Sequence, residues 1–298
     1  MTSAINATDL GKRYGRKWAL SSCTLDIPAG HVVGLVGPNG AGKTTLLHLA
    51  VGLLTPSTGT LSVLDEKPGS SPEQLGRIGF VAQDTPVYPN LTIATHLHMG
   101  AALNPHWDAQ LAERRMYDLG LDPSQRAGGL SGGQRAQLAL TLAIAKRPSL
   151  LLLDEPVASL DPLARREFLA TLMEVVAEHE VSVVLSSHLV ADLERVCDYL
   201  VVLAASRVQA NGEIDDLLAS HHRLVGTRQD FDRLPDSARV IEASHVERQT
   251  TVTIASADPI LDPAWSVEEM TLEDLVLAYM SQAEEQRREL VRANGGSR

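Results

Sequence analysis

The sequence predicts an α/β fold: a mixed sheet core with helices on both faces, a helical insertion over about 84–147, and a small C-terminal annex over 221–298. Three observations predict it. Short apolar runs, Val32–Val36, Leu150–Leu153 and Val181–Leu185, read as buried parallel strands. Segments of helical periodicity stand between them, which is the alternation of βαβ units. The texture departs from that alternation twice, at Asp84–Lys146 and again beyond Ser220.

Taken in order, Cys23, Leu25 and Ile27 alternate with Ser22, Thr24 and Asp26, the period of a half-buried antiparallel strand. Val32–Val36 follows. After the glycines that succeed it, Leu46, Leu49 or Ala50, and Leu53 share one helical face. Leu61–Val63 and Arg77–Ala82 read as strands, the second with Ile78, Phe80 and Ala82 on one face, so the N-terminal part is expected to form a mixed sheet. Asp84 to about Lys146 is rich in Ala and Leu and reads as helices. Leu150–Leu153, a helix over Pro162–His179 and Val181–Leu185 restore the alternation, with Leu169, Leu172, Met173 and Val176 as the helix's apolar stripe. In the annex, Val240–Ala243 and Thr251–Ile254 read as strands. Thr271 opens a helix with Asp274 at the capping-box position and Leu272, Leu275, Val276 and Tyr279 on one face. The charged end, AEEQRRELVRANGGSR, is expected to fray.

Composition narrows the function. The chain has 298 residues, 44% of them hydrophobic, enough for one large core and an annex. A net charge of −11 argues against a nucleic-acid partner. The two cysteines, Cys23 and Cys197, lie too far apart for a disulfide framework or a metal site, and read as small apolar core residues of a reducing compartment. The N-terminus lacks the apolar segment of a secretory signal. No run approaches the ~20 apolar residues of a membrane span. A cytosolic chain is expected, with a membrane partner left open.

The chemistry is concentrated in three places. Gly37, Pro38, Asn39, Gly40, Ala41, Gly42, Lys43, Thr44 and Thr45 fit the phosphate-loop pattern G-x-x-x-x-G-K-[ST] between a strand and a helix. The glycines let backbone N–H groups wrap phosphates, Lys43 reaches the β- and γ-phosphates, and the Thr44 hydroxyl holds Mg²⁺. A nucleoside triphosphate is therefore expected there. Leu150–Leu153 ends in Asp154 and Glu155. On a parallel strand neighbouring the phosphate loop's own, Asp154 would stand beside Thr44 and bind Mg²⁺ through water, and Glu155 could polarise an attacking water. The third place is Leu130-Ser131-Gly132-Gly133-Gln134, which opens a helix and presents a hydroxyl and N–H groups to an anion. It is a second cradle in a chain that already has one.

Three more residues gain interest from position. Gln83 and His188 stand at carboxyl ends of strands, where parallel sheets place ligands. Tyr14, between two early strands, could stack on an adenine ring or be an ordinary loop residue.

The order Gly37–Thr45, Gln83, Leu130–Gln134, Leu153–Pro156, Ser159-Leu160-Asp161 and His188 resembles the nucleotide-binding domain of ATP-binding cassette (ABC) transporters, over about residues 4–220. The resemblance implies a P-loop NTPase of the ABC cassette type, with an antiparallel N-terminal β part. In that family two cassettes dimerise head to tail, and each ATP lies between one phosphate loop and the other subunit's LSGGQ signature. Carried over, Ser131, Gly132, Gly133 and Gln134 serve the partner's ATP, with Ser131 and Gly133 at its γ-phosphate. Glu155 is then the catalytic base and His188 touches the γ-phosphate and water. Gln83 links the metal site to the helical insert, and Asp161 lies at the dimer seam.

Asp122–Gly129 lacks the T-x-V-G-E-x-G element of multidrug exporters with fused membrane domains, and no membrane domain is fused here. Asn104–Asp108 and the TLEDLVLAYM tail are similar to stand-alone ATPases of bacterial ABC-2-type exporters. The resemblance thus implies an ATPase bound at the inner face of the cell membrane through a separate permease, probed against one alternative: a soluble ABC ATPase acting on a cytosolic scaffold such as a cofactor-assembly complex.

Overall fold

The computed structural model describes residues 2–84, 87–227, 234, 238–246, 249–260 and 262–295, with side chains to 289. The chain opens with β1 (Ser3–Tyr14), β2 (Lys17–Pro28) and β3 (Val32–Val36), then α1 (Lys43–Ala50), β4 (Thr58–Val63), α2 (Pro72–Gly76) and β5 (Ile78–Val81). Helices α3 (Ile93–Leu103), α4 (Ala109–Asp118) and α5 (Gly132–Ile144) form the insertion. There follow β6 (Leu150–Asp154), α6 (Pro162–His179), β7 (Ser182–Ser187), α7 (Val190–Leu193), β8 (Tyr199–Ala204), β9 (Arg207–Glu213) and α8 (Ile214–Ser220). The annex holds β10 (His221–Thr227), β11 (Arg239–Val246), β12 (Gln249–Ala255), β13 (Ser266–Glu268) and α9 (Leu272–Gly295).

The central sheet has six strands in the order β5-β6-β7-β3-β8-β9. All its pairings are parallel except β8 with β9. Its middle strands are buried on both faces, and the alternation of side chains divides them between two cores. Val32, Val36, Leu151, Leu153, Val183 and Leu185 pack in one core with residues of α5, α6 and α9. Val33, Leu35, Leu150, Leu152 and Val184 pack in the other, with α1 and the antiparallel sheet. Each such leucine contributes roughly 1.5–3 kcal/mol by leaving water, which is why the four-leucine run of β6 commits to a strand flanked on both sides, between β5 and β7.

Several expectations need correction. The N-terminal strands do not form a mixed sheet of their own: β2, β1 and β4 make a separate antiparallel sheet, while β3 joins the central one. Leu53 is not on the α1 face; the helix stops at Ala50 and Leu53 is 65% exposed. The strands beside β3 are β7 and β8, so β6 with Asp154 lies one strand further off than the sequence reading placed it.

The annex is tied to the rest. Leu272, Leu275, Val276 and Tyr279, all buried, belong to the same core as Leu151 and Leu185. The Asp274 carboxylate accepts from Thr271 N–H while the Thr271 hydroxyl accepts from Asp274 N–H, closing the expected capping box, and that hydroxyl also donates to the carboxylate. Thr271 chiefly, through that bond, holds the Asp274 carboxyl below its usual range. Among the described residues no helix is long and apolar enough to cross a membrane.

Candidate functional site: a phosphate loop facing a paired glutamate

Gly42 caps α1 with φ 113°, a left-handed conformation that favours glycine. A Cβ there would stand 2.5 Å from the Ala19 carbonyl oxygen, and one on Gly37 would stand 2.0 Å from that of Leu203. The loop therefore wraps against β2 and β8 with no room for side chains at those points. Above it opens a cavity of about 600 Å³. Asn39, Gly40, Gly42, Lys43, Thr44 and Thr45 line its floor, and Tyr14, Gln83, Glu155 and His188 line its walls. The structure thus brings together residues that lie 174 positions apart in the chain, from Tyr14 to His188. Tyr14 is half exposed, and the Lys12 ammonium sits 5.6 Å from its ring centroid. Lys17, Ala19 and Ala158 also line the cavity; no motif in the sequence singles them out.

The buried Lys43 Nζ donates to the Gly37 carbonyl at 2.8 Å and pairs with Glu155 Oε1 at 3.2 Å. Glu155 Oε2 lies 3.1 Å from His188 Nδ1. Lys43, Glu155 and His188 therefore form one chain of contacts across the cavity. Glu155 has φ 46°, in the left-handed region, which costs a non-glycine residue of order 1–3 kcal/mol. That turn directs its carboxylate at Lys43 instead of letting it continue along β6.

Asp154 does not line the cavity but is buried behind it, and its Oδ1 accepts from the Ser186 hydroxyl at 2.7 Å. Its Oδ2 is buried without a hydrogen-bond partner among the described residues. A buried carboxylate oxygen in that state fits a hard cation. Among the described residues no group of three or more His, Cys, Asp or Glu could hold a metal by itself, so the donor set fits an ion that arrives with phosphate oxygens.

The LSGGQ turn stands elsewhere. Ser131 caps α5, its hydroxyl accepting from Gln134 N–H at 3.2 Å while its own N–H donates to Gln134 Oε1 at 2.9 Å. Neither Ser131 nor Gly132, Gly133 or Gln134 lines the cavity. Gly133 packs against α6, where a Cβ would stand 2.9 Å from Ala164 Cβ. Asp161, expected at a seam between subunits, caps α6 by accepting from Leu163 and Ala164 N–H at 3.0 Å each. The outer side of the phosphate loop, Pro38–Ala41, lines a second cavity of about 520 Å³ with Trp18, Arg207 and, from α9, Gln286 and Arg287.

This geometry has relatives. The family model for ABC transporters matches residues 20–158. The thiamine import ATP-binding protein ThiQ of Escherichia coli (strain UTI89 / UPEC) is 33% identical over 215 residues, 69% of this chain and 92% of that protein. The Nod factor export ATP-binding protein I of Cupriavidus metallidurans is 32% identical over 226 residues, 74% of each chain. A solved ATP-binding subunit of an ABC transporter superposes with a TM-score of 0.65 at 30% identity, over 72% of this chain and 92% of that one. A phosphate loop under a glutamate-lined cavity, an LSGGQ helix start and these relatives lead to one assignment: the chain belongs to the ABC family and is an ATP-binding subunit of a transporter, an ATPase.

Proposed function

We propose that this subunit powers export through a separately encoded membrane permease, from the inner face of the membrane, with ATP hydrolysed between two cassettes. The observation that carries the two-cassette reading is the separation of the two motifs: none of Ser131, Gly132, Gly133 and Gln134 lines the chain's own nucleotide cavity. Asn104–Asp108 supports export through its likeness in sequence to stand-alone exporter ATPases; in this chain the turn ends α3 and caps α4, with Asp108 accepting from Leu111 N–H. The TLEDLVLAYM segment, which opens α9, supports it too by the same likeness in sequence. We read residues 1–220 as the cassette and 221–298 as a structural annex held by that helix. No nucleic-acid partner is expected.

On this reading the phosphate loop binds the triphosphate through its N–H groups and Lys43. Glu155 accepts the proton of an attacking water. His188 orients that water and the γ-phosphate, and Tyr14 stacks on the adenine. Mg²⁺, held by Thr44, Asp154 and Gln83, would supply charge neutralisation between the phosphates. When the triphosphate enters, Lys43 exchanges Glu155 for phosphate oxygens, and the released carboxylate becomes free to act as a base.

Purification of the tagged chain with its native membranes tests the class. A stoichiometric permease of about six spans is the expected partner, and a soluble scaffold in its place overturns the transport reading. Inverted vesicles carrying that complex, given ATP outside, should fill with substrate; emptying of preloaded inverted vesicles overturns export.

A further inference from the structure

We infer that Ser186 is a positioning residue for both acids of the site, holding Asp154 for the metal and Glu155 for the water. Its side chain is fully buried on β7, opposite Asp154 in the parallel register of β6 and β7. The hydroxyl donates to Asp154 Oδ1 at 2.7 Å and accepts from Glu155 N–H at 2.8 Å. The polarity of that chain is fixed. An amide N–H only donates and a carboxylate only accepts, so the single hydroxyl proton lies toward Asp154.

Two consequences follow from one group. With Oδ1 held by Ser186, the Asp154 carboxylate keeps a fixed rotation and leaves Oδ2 as its unpartnered oxygen. With its N–H held by the same hydroxyl, Glu155 is kept at φ 46°, the turn that aims its carboxylate at Lys43 and His188. Neither carboxylate is held by Ser186 through direct contact with nucleotide: Ser186 is absent from the cavity wall. It acts through the two acids.

This inference rests on the proposed roles of Asp154 and Glu155. The test uses the full-length protein and Ser186→Ala, which removes one oxygen from the core. Mn²⁺ replaces Mg²⁺ as the probe, and free Mn²⁺ is read by electron paramagnetic resonance in the presence of a non-hydrolysable ATP analogue. Loss of a hydrogen-bonding partner behind a metal ligand costs roughly 10–100-fold in metal affinity or activity. Ser186→Ala should weaken Mn²⁺ binding by that factor and lower kcat, while metal-free nucleotide affinity stays near the parent's. Ser186→Thr, which keeps the hydroxyl, should bind Mn²⁺ as the parent does. Parental Mn²⁺ affinity and kcat in Ser186→Ala overturn the inference. So does a Ser186→Thr variant as weak as Ser186→Ala, since packing and not the hydroxyl would then be the cause. Glu155→Gln, assayed alongside, separates the two levels: parental turnover there removes the underlying reading, whereas slow turnover there with a parental Ser186→Ala removes this inference alone.

Discussion

Glu155→Gln should slow hydrolysis and tighten ATP binding at the same time, and the second effect comes from the ligand-free geometry. In the structure Lys43 is already engaged, 3.2 Å from Glu155 Oε1 and 2.8 Å from the Gly37 carbonyl. The triphosphate must therefore compete with Glu155 for the ammonium. A hydrogen bond to a charged group contributes about 1.5–3 kcal/mol net, and a neutral one about 0.5–1.5. A glutamine keeps the neutral contact and loses the charge, so about 1 kcal/mol less opposes the nucleotide, or roughly a fivefold lower Kd. Turnover moves the other way. An amide cannot take the proton, and a general base contributes about 10²–10⁴-fold, which is about 2.7–5.4 kcal/mol of barrier. Binding of a fluorescent ATP and release of inorganic phosphate measure the two effects. Turnover within a few-fold of the parent refutes Glu155 as the base. An unchanged or raised Kd refutes the competition between Glu155 and phosphate for Lys43.

Ser131→Arg should leave nucleotide binding by one chain intact and abolish hydrolysis; mixed with Lys43→Ala, also inactive alone, it should recover ATPase activity that rises with protein concentration, and full activity of Ser131→Arg by itself refutes the shared site. Gly37→Ala should cost about 1–3 kcal/mol in urea unfolding, because its Cβ would press on the Leu203 carbonyl oxygen at 2.0 Å; a stability equal to the parent's refutes the tight wrap of the loop. His221 accepts from the Tyr279 hydroxyl and donates to the Leu217 carbonyl, with Arg239 also on that hydroxyl. Burial chiefly pushes its pKa below the ordinary 6.5. The unfolded chain then binds the proton more readily, so stability should fall as pH drops from 6.5 toward the lowered value. His221→Gln should flatten that part of the urea-midpoint profile, and an unchanged slope refutes it.

Legibility followed the range of the interactions. The strands β3 and β6 are readable as unbroken apolar runs because the sheet covers them on both faces. By contrast β1 is hard to read because its ladder shifts register around Asp9, which has φ 48°, and each shift interrupts the period of two. Strand β9 lies at the sheet edge with none of its residues fully buried, so its composition carries little signal. The order of strands is beyond periodicity altogether, and that is why Asp154 was expected beside the phosphate loop's own strand when β7 lies between them. The phosphate loop and the LSGGQ turn are local, and each was legible in one stretch. Ser186 was not, since its relation to Asp154 exists only through the pairing of β6 with β7. The left-handed turn at Glu155 gave no signal either, because the residue is not a glycine.

The start of α5 also bears on how the proposed second cradle can remain free in a lone chain. The first N–H groups of any helix lack intrahelical partners. Here the reciprocal bonds of Ser131 and Gln134 satisfy two donors, the N–H groups of those residues. They leave the Ser131 hydroxyl proton unassigned, because the oxygen acts there as acceptor. Gly132 and Gly133 follow it at the first two helical positions, with no side chains to shield their own N–H groups. What is left is a small set of donors, without a charge of their own, at the positive end of a helix. Such a set binds an anion weakly unless the anion is already held by something stronger. In the proposed pair of cassettes that stronger hold is the other subunit's phosphate loop and Lys43. In that proposed pair the asymmetry would set the order of events: nucleotide first at the loop, then closure of the partner's LSGGQ turn upon it.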